Sequence, residues 1–419
     1  MLDEAHHWAE TQFGAAELGD ARRTGRLVST MAAIARTPDE SLPRQLGSMG
    51  DTKAAYRLFD CGAVTREAVM DPHLAQCRAE AARHPIVLMV QDDTTLDFSP
   101  HRRLKGAGRV GNDHGTGFLA HSCLAVLPSG EILGLAHQTI WSRPPKGVRR
   151  QTRESAVWAE TVAAIGRPAT GSRFISVADR GADVFEHLEG VRDTGWDAVV
   201  RAAQDRRLAT GGGSLTTLRA TGAMGAATVL TQQGEVVVCV AWRELELLPP
   251  RNGPAGRAPI RVWGVRVWND TLEWLLLTTL PVESLDQALE IVAWYARRWT
   301  VEEFCCAALR VIRRGRPAAG PNSGNWRKPI GWFRCSGRWP SLPFVCWGCV
   351  MPPAVTAPPQ RTCRKRRSGS SPLSFSNRQS ASPPTGTSCA ASPAWAAFSP
   401  ASPTANPAGK QFGRAGSSS

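Results

Sequence analysis

The stretch Pro85-Ile86-Val87-Leu88-Met89-Val90-Gln91-Asp92-Asp93-Thr94-Thr95 decides how the chain is read. Five consecutive apolar residues after a proline have the length of a strand and no alternation, the pattern of a strand covered on both faces. Two acids follow at once. A carboxylate at the exit of a buried strand is costly unless it is paired or bound to a cation, so Asp92 or Asp93 is a candidate ligand. The plain alternative is a cap or turn, where Asp and Thr are favoured.

A second segment repeats the design. Phe174-Ile175-Ser176-Val177-Ala178 reads as a buried strand and ends at Asp179-Arg180-Gly181-Ala182-Asp183. Asp183 suits the cap of a helix expected over 184–191. Asp179 has no such local role. Strands are also expected over 119–127 and 132–141, joined by Pro128-Ser129-Gly130, and over 198–201; helices are expected over 65–83 and 154–165. A meander followed by alternating helices and strands gives an α/β core.

Beyond this core the character changes. Residues 210–280 open on three glycines and hold strand patterns at 235–248, 260–268 and 272–280, an all-β insertion. Trp274 stands in the last of them, where a core aromatic on a sheet face is the plain reading. A helix is then expected over 282–304, with Leu285, Ala288, Leu289, Val292 and Trp299 as its buried stripe. Tyr295, Arg298 and Glu302 fall at i, i+3 and i+7, gathering a phenol, a guanidinium and a carboxylate on one flank. On spacing alone this could equally be a solvated edge with an Arg–Glu pair.

On the amino-terminal side the helices are short and edged with basic residues. One starts at Asp20 and carries Arg22, Arg23 and Arg26; another, near 52–59, carries Lys53 and Arg57. Such edges suit DNA phosphates, and they also suit an ordinary charged exterior. Residues 101–118 are Gly-rich and basic and read as a loop.

The net charge of +14 is unevenly placed. All 36 Asp and Glu lie before residue 305, with 34 of the 50 Lys and Arg; the remaining 16 basic residues stand in a tail without one acid. A nucleic-acid footprint must therefore be sought in local clusters of the body. Seven of the eleven Cys also fall in the tail, none in a Cys/His set at zinc-ligand spacing. Cys61, Cys77, Cys123 and Cys239 read as reduced thiols. The polar, acidic first ten residues are no signal peptide and no apolar run reaches the roughly 20 residues a membrane span needs, so a cytoplasmic protein without a membrane partner is expected.

Four pieces in this order carry a family resemblance: Leu18-Gly19-Asp20-Ala21-Arg22-Arg23; Gln91-Asp92 followed by threonines; Asp179-Arg180-x-Ala182-Asp183; and Tyr295-x-x-Arg298-Trp299-x-x-Glu302-Glu303-Phe304. Over residues 8–304 the chain resembles DDE transposases of the IS-four-like, Tn-five type insertion-sequence branch. The resemblance implies an RNase H-like core, a mixed sheet flanked by helices, in which Asp92, Asp179 and Glu302 hold Mg²⁺ or Mn²⁺. Asp93 is the alternative first ligand. It implies phosphate contacts from Tyr295 and Arg298, further DNA contacts from Arg180 and Arg201, a base stacked on Trp274, and end recognition by the amino-terminal helices through Arg22, Arg23 and Arg26. DNA, as transposon ends and target, is then the partner, bound by a homodimer in a synaptic complex, in a bacterial cytoplasm and on the nucleoid when bound. The activity implied is metal-dependent strand cleavage and strand transfer.

The domains expected are 1–70, helical and end-binding; 71–209, the first part of the catalytic core; 210–280, the β insertion; 281–304, the final core helix; and 305–419, the tail. The family's signature continues with a Lys seven residues after the glutamate, where this chain has Leu309. The tail, rich in Pro, Ser, Ala, Gly and Arg, has the composition of a disordered or non-native segment; a shift of coding frame near codon 304 is the expected origin, and a real basic, disordered DNA-binding tail is the competing account. A catalytically impaired DNA-binding remnant, or an inhibitor of transposition, is the alternative to an active enzyme.

Overall fold

The strand that begins at Ile86 does not stop at the acids. In the computed structural model, which describes residues 2–305 apart from 39, 100–104, 112–113, 145–147, 149–152, 232–233 and 255, it runs on to Asp97. The elements in order are α1 (Leu2–Phe13), α2 (Ala21–Arg36), α3 (Leu42–Leu46), α4 (Met49–Phe59), α5 (Arg66–Ala81), β1 (Ile86–Asp97), β2 (Gly108–Val110), β3 (Gly115–Val126) and β4 (Ile132–Trp141). Then come α6 (Val157–Ile165), β5 (Arg173–Ala178), α7 (Phe185–Thr194), β6 (Asp197–Arg201), α8 (Ser214–Ala220), β7 (Gly225–Thr231), β8 (Gly234–Leu247), β9 (Ile260–Trp268), β10 (Glu273–Thr278) and α9 (Leu285–Ala296). The expectations for the tail, its origin, and His101, Arg102 and Arg103 lie outside the described residues.

The ten strands of the described residues belong to one mixed sheet, ordered β2-β3-β1-β5-β6-β10-β9-β8-β7, with β4 beside β3. The meander is present: β1 pairs antiparallel with β3, and β3 with β4. On its other side β1 is parallel to β5, and β5 to β6. The strands of residues 210–280 do not form a separate module. β10 pairs antiparallel with β6, through Leu276 opposite Arg201, so the expected insertion prolongs the same sheet. That pairing is made between segments some seventy residues apart, beyond the reach of local patterning.

The two faces of the sheet are covered by different elements. Leu88, Val90 and Leu96 of β1 share a buried cluster with Ile291, Val292 and Trp294 of α9 and with Leu27, Met31 and Phe13 of the amino-terminal helices. Val87 and Met89 point the other way, to Val157, Trp158 and Val162 of α6 and Phe185 and Leu188 of α7. Period-two alternation thus sends Asp92 to the α9 face and Asp93 to the α6 face. Helix starts follow side-chain capping: Asp20, Ser48, Thr65 and Ser284 each accept a backbone N–H of the first turn.

Two expected elements are corrected. The helix over 282–304 breaks: α9 ends at Ala296, a turn takes up Arg297 and Arg298, and helix resumes at 299. Within the turn, Arg298 N donates to Tyr295 O at 3.0 Å, a tighter i→i+3 bond. Trp299 leaves the buried stripe and is 37% exposed. Asp183 does not cap α7, whose cap position is Val184. Its carboxylate is buried instead, accepting from the backbone of Ala203 and Gln204 and from Arg206 Nε at 2.6 Å. Cys239 is disulfide-bonded, against the reduced reading, whereas Cys61, Cys77 and Cys123 are free. No helix among the described residues is long and apolar enough to cross a membrane.

Candidate active site

Asp92 sits in the middle of β1, opposite Ser122 of β3, and faces the segment that follows α9. There Arg298 bridges two acids: its Nη1 lies 3.6 Å from Asp92 Oδ2 and its Nη2 lies 2.8 Å from Glu302 Oε1. The guanidinium is 8% exposed, and the two carboxylates 18% and 22%. Asp179, at the end of β5, completes the group, close enough for its charge to act on both Asp92 and Tyr295.

Asp179 does have a local role that strand-end reading missed. It caps a one-turn 3-10 helix, Arg180–Ala182, and accepts from Gly181 N at 2.7 Å. Asp93 is placed elsewhere. It projects from the opposite face of β1 and its Oδ1 lies 2.7 Å from His121 Nδ1.

The electrostatics reflect burial first and the nearness of other charges second. Burial, then Asp179, push the Asp92 carboxyl up to about 7, with Glu302 adding to the rise and Arg298 opposing it. Burial disfavours the charge on Arg298, but Glu302, Tyr295 and Asp92 outweigh it and hold the guanidinium above its ordinary value. Burial also raises the Tyr295 phenol, against Arg298 and Arg201.

Tyr295 is 3% exposed and packs edge-on against Trp274, ring centroids 5.2 Å apart. Trp274 is itself 7% exposed, so its ring stands in the core beneath α9. Arg201 is near enough for its charge to act on the Tyr295 phenol, and it donates Nη2 to Glu273 O at 3.0 Å. Arg180 is exposed beside Asp179. Trp299 presents its ring to Arg298, 4.7 Å from the guanidinium carbon. Asp92, Asp179, Glu302, Tyr295, Arg298, Arg201 and Trp274 therefore come from β1, the end of β5, β6, β10, α9 and the segment that follows α9.

The three amino-terminal arginines are not equivalent. Arg22 is exposed and pairs with its own cap, Asp20, at 3.2 Å. Arg23 donates Nη1 to Leu18 O at 2.9 Å, and Arg26 reaches Asp51 of α4 at 2.7 Å. Two of the three are thus committed to holding α2 in place.

Carboxylates are the hard oxygen donors that Mg²⁺ and Mn²⁺ take, and Asp92 and Glu302 both lie against Arg298 with Asp179 near enough to act on Asp92. The donor set fits such an ion. Among the described residues, however, no three His, Cys, Asp or Glu side chains are drawn together as a ready-made metal cage. Arg298 lies against both Asp92 and Glu302 instead.

Comparison with known proteins adds to this geometry. Residues 149–315 match the family model of the transposase DDE domain, and residues 5–64 match that of the transposase DNA-binding domain. Together the two matches support a DDE transposase with DNA as its partner. Asp179 and Glu302 fall inside the DDE match and Asp92 precedes it; Arg22, Arg23 and Arg26 fall inside the DNA-binding match. The chain is also similar to a piggyBac transposase solved in a synaptic complex with hairpin DNA, at 9% identity over 73% of this chain and 71% of that one, with a TM-score of 0.38.

Proposed function

We propose that the chain is a transposase of the IS-four-like, Tn-five type branch that binds transposon ends and cuts and transfers DNA strands in a cut-and-paste reaction. The observation that carries this reading is that Arg298 lies against both Asp92 and Glu302, with Asp179 near enough for its charge to act on Asp92. The meander followed by parallel strands supports an RNase H-like core. Asp92 is preferred to Asp93, which is turned to the other face.

Asp92, Asp179 and Glu302 would hold Mg²⁺ or Mn²⁺. Bound there, a divalent ion supplies Lewis-acid activation of the attacking oxygen and neutralisation of charge at the leaving oxygen. The chain's own cations do the positioning: Arg298 and Arg201 offer forked donors to phosphate, with exposed Arg180 at the rim. Stacking of a flipped base on Trp274 requires the Tyr295 ring to move off it. A homodimer would bring two ends into one synaptic complex, in the bacterial cytoplasm.

The test is a plasmid carrying the DNA that flanks the coding sequence, incubated with the full chain and Mg²⁺ or Mn²⁺. Nicking at inverted repeats that is lost in Asp92→Asn, with DNA binding retained, is the expected result. Cleavage unaffected by Asp92→Asn overturns the reading.

One observation favours a second reading, an impaired DNA-binding remnant or inhibitor. Acidic residues cease after Glu303, and the 16 basic residues of the tail stand without one acid. A shift of coding frame near that point would leave end binding without efficient cleavage. Translation of the other two frames downstream of codon 304 tests it: neither yielding the signature Lys and an acidic helical continuation would dismiss the frameshift.

A further inference from the structure

Behind Asp92, on the α6 face of the sheet, runs a continuous line of polar side chains. Asp93 Oδ1 is hydrogen-bonded to His121 Nδ1 at 2.7 Å, and His121 Nε2 to Gln91 Oε1 at 3.0 Å. Gln91 Nε2 donates to Ser176 Oγ at 2.9 Å, and Ser176 Oγ is hydrogen-bonded to His187 Nε2 at 3.1 Å. Gln91, His121, Ser176 and His187 have no exposed surface. Trp158 closes the line from above, edge-on to His121 at 4.5 Å and to His187 at 6.2 Å.

Apolar side chains would fill this space at lower cost in desolvation, since each buried polar group must find partners. What the line touches is the informative point. Gln91 and Asp93 are the two chain neighbours of Asp92, gripped from the face opposite its carboxylate. Ser176 lies in β5, three residues before Asp179, and His187 anchors Ser176 from α7. The line crosses β3, β1 and β5 at the level of the site and ties the strand carrying Asp92 to the strand carrying Asp179.

We propose that His121 and Ser176 are positioning residues that set the separation of Asp92 and Asp179 through Gln91 and Asp93. This rests on the reading of Asp92, Asp179 and Glu302 as the reaction centre. Misplacement of a reacting group by about 1 Å can lower a rate about a hundredfold. Hydrogen-bonded partners behind metal-binding side chains matter about 10–100-fold to affinity or activity.

The test uses the full chain with Ser176→Ala, Ser176→Thr, His121→Phe and Asp92→Asn. The readouts are cleavage of the plasmid described above, the Mn²⁺ concentration for half-maximal cleavage, the thermal shift produced by Mn²⁺ without DNA, and DNA affinity. Ser176→Ala and His121→Phe are expected to raise the half-maximal Mn²⁺ concentration and diminish the Mn²⁺-induced thermal shift, at DNA affinity within about twofold of the parent. Ser176→Thr, which keeps the hydroxyl, is expected to restore both. Parental Mn²⁺ dependence in Ser176→Ala and His121→Phe overturns the proposal alone, as does equal loss of melting cooperativity and DNA binding that Ser176→Thr fails to repair. A parent chain showing neither Mn²⁺-dependent shift nor cleavage overturns the reading of the site and this proposal with it.

Discussion

Arg298 Nη1 lies 3.6 Å from Asp92 Oδ2, joining the turn after α9 to the centre of β1 in a space where both side chains are largely shielded from water. The same guanidinium holds Glu302, so one cation organises two acids that would otherwise repel.

Removing that cation should cost the fold. Arg298→Met leaves two shielded carboxylates without a partner and is expected to lower stability by about 3–5 kcal/mol, read by urea unfolding at pH 7. Adding Asp92→Asn to it should cost less than the sum of the single changes, because the orphaned charge goes with it. Strict additivity would dissociate Arg298 from Asp92.

The pair Asp183–Arg206 offers a control remote from the chemistry. Asp183 is fully shielded, with two backbone donors as well as Arg206 Nε. Asp183→Ala is expected to cost about 3–5 kcal/mol in the same measurement. A change below about 1 kcal/mol would show that the carboxylate does not anchor the segment after β6.

Acid should weaken the fold through His73. Its Nδ1 donates to Gln12 Oε1 and its Nε2 accepts from Leu135 N, an arrangement only the neutral ring can satisfy. Burial lowers its pKa from 6.5 to about 4. With the folded value below the unfolded one, the unfolded chain binds the extra proton, so stability falls as pH drops through 6.5 and stops falling near 4. About 2 kcal/mol should be lost by pH 5. Urea midpoints of the parent at pH 7 and pH 5 should differ more than those of His73→Asn; equal differences would exclude His73 as a source.

In the amino-terminal helices, Arg22 and Arg23 should behave oppositely. Arg22→Ala is expected to weaken DNA binding and reduce the slope of log affinity against log salt by about one, leaving the melting temperature unchanged. Arg23→Ala removes the bond to Leu18 O and should lower stability by about 1 kcal/mol. Mobility-shift titrations at several salt concentrations separate them, and a salt slope unchanged in Arg22→Ala would remove it from the interface.

Much of the core was legible because single segments announce it. The unbroken apolar run Ile86–Val90 could only be a covered strand, and Phe174–Ala178 likewise. Where β1 would end was not legible: past Gln91 its residues alternate between a shielded face and a wetter one, so Asp, Asp, Thr, Thr reads as a turn. The break at Arg297 and Arg298 carries neither Gly nor Pro to signal it. Asp183 resembled a cap because its partners, at 203, 204 and 206, are supplied only by the tertiary fold. The line through His121 and Ser176 escaped for the same reason, although a His and a Ser amid apolar strand residues are themselves a signal of shielded polar contacts.

The pairing of Leu276 with Arg201 also bears on how this chain could be trimmed. Excising 210–280 to obtain a minimal core would strip β6 of a neighbour and bare a row of amide and carbonyl groups, a template for aggregation. It would also take away the strand that carries Trp274, against which Tyr295 rests. A shorter version of the chain must keep β10, or replace it with another strand that closes that edge.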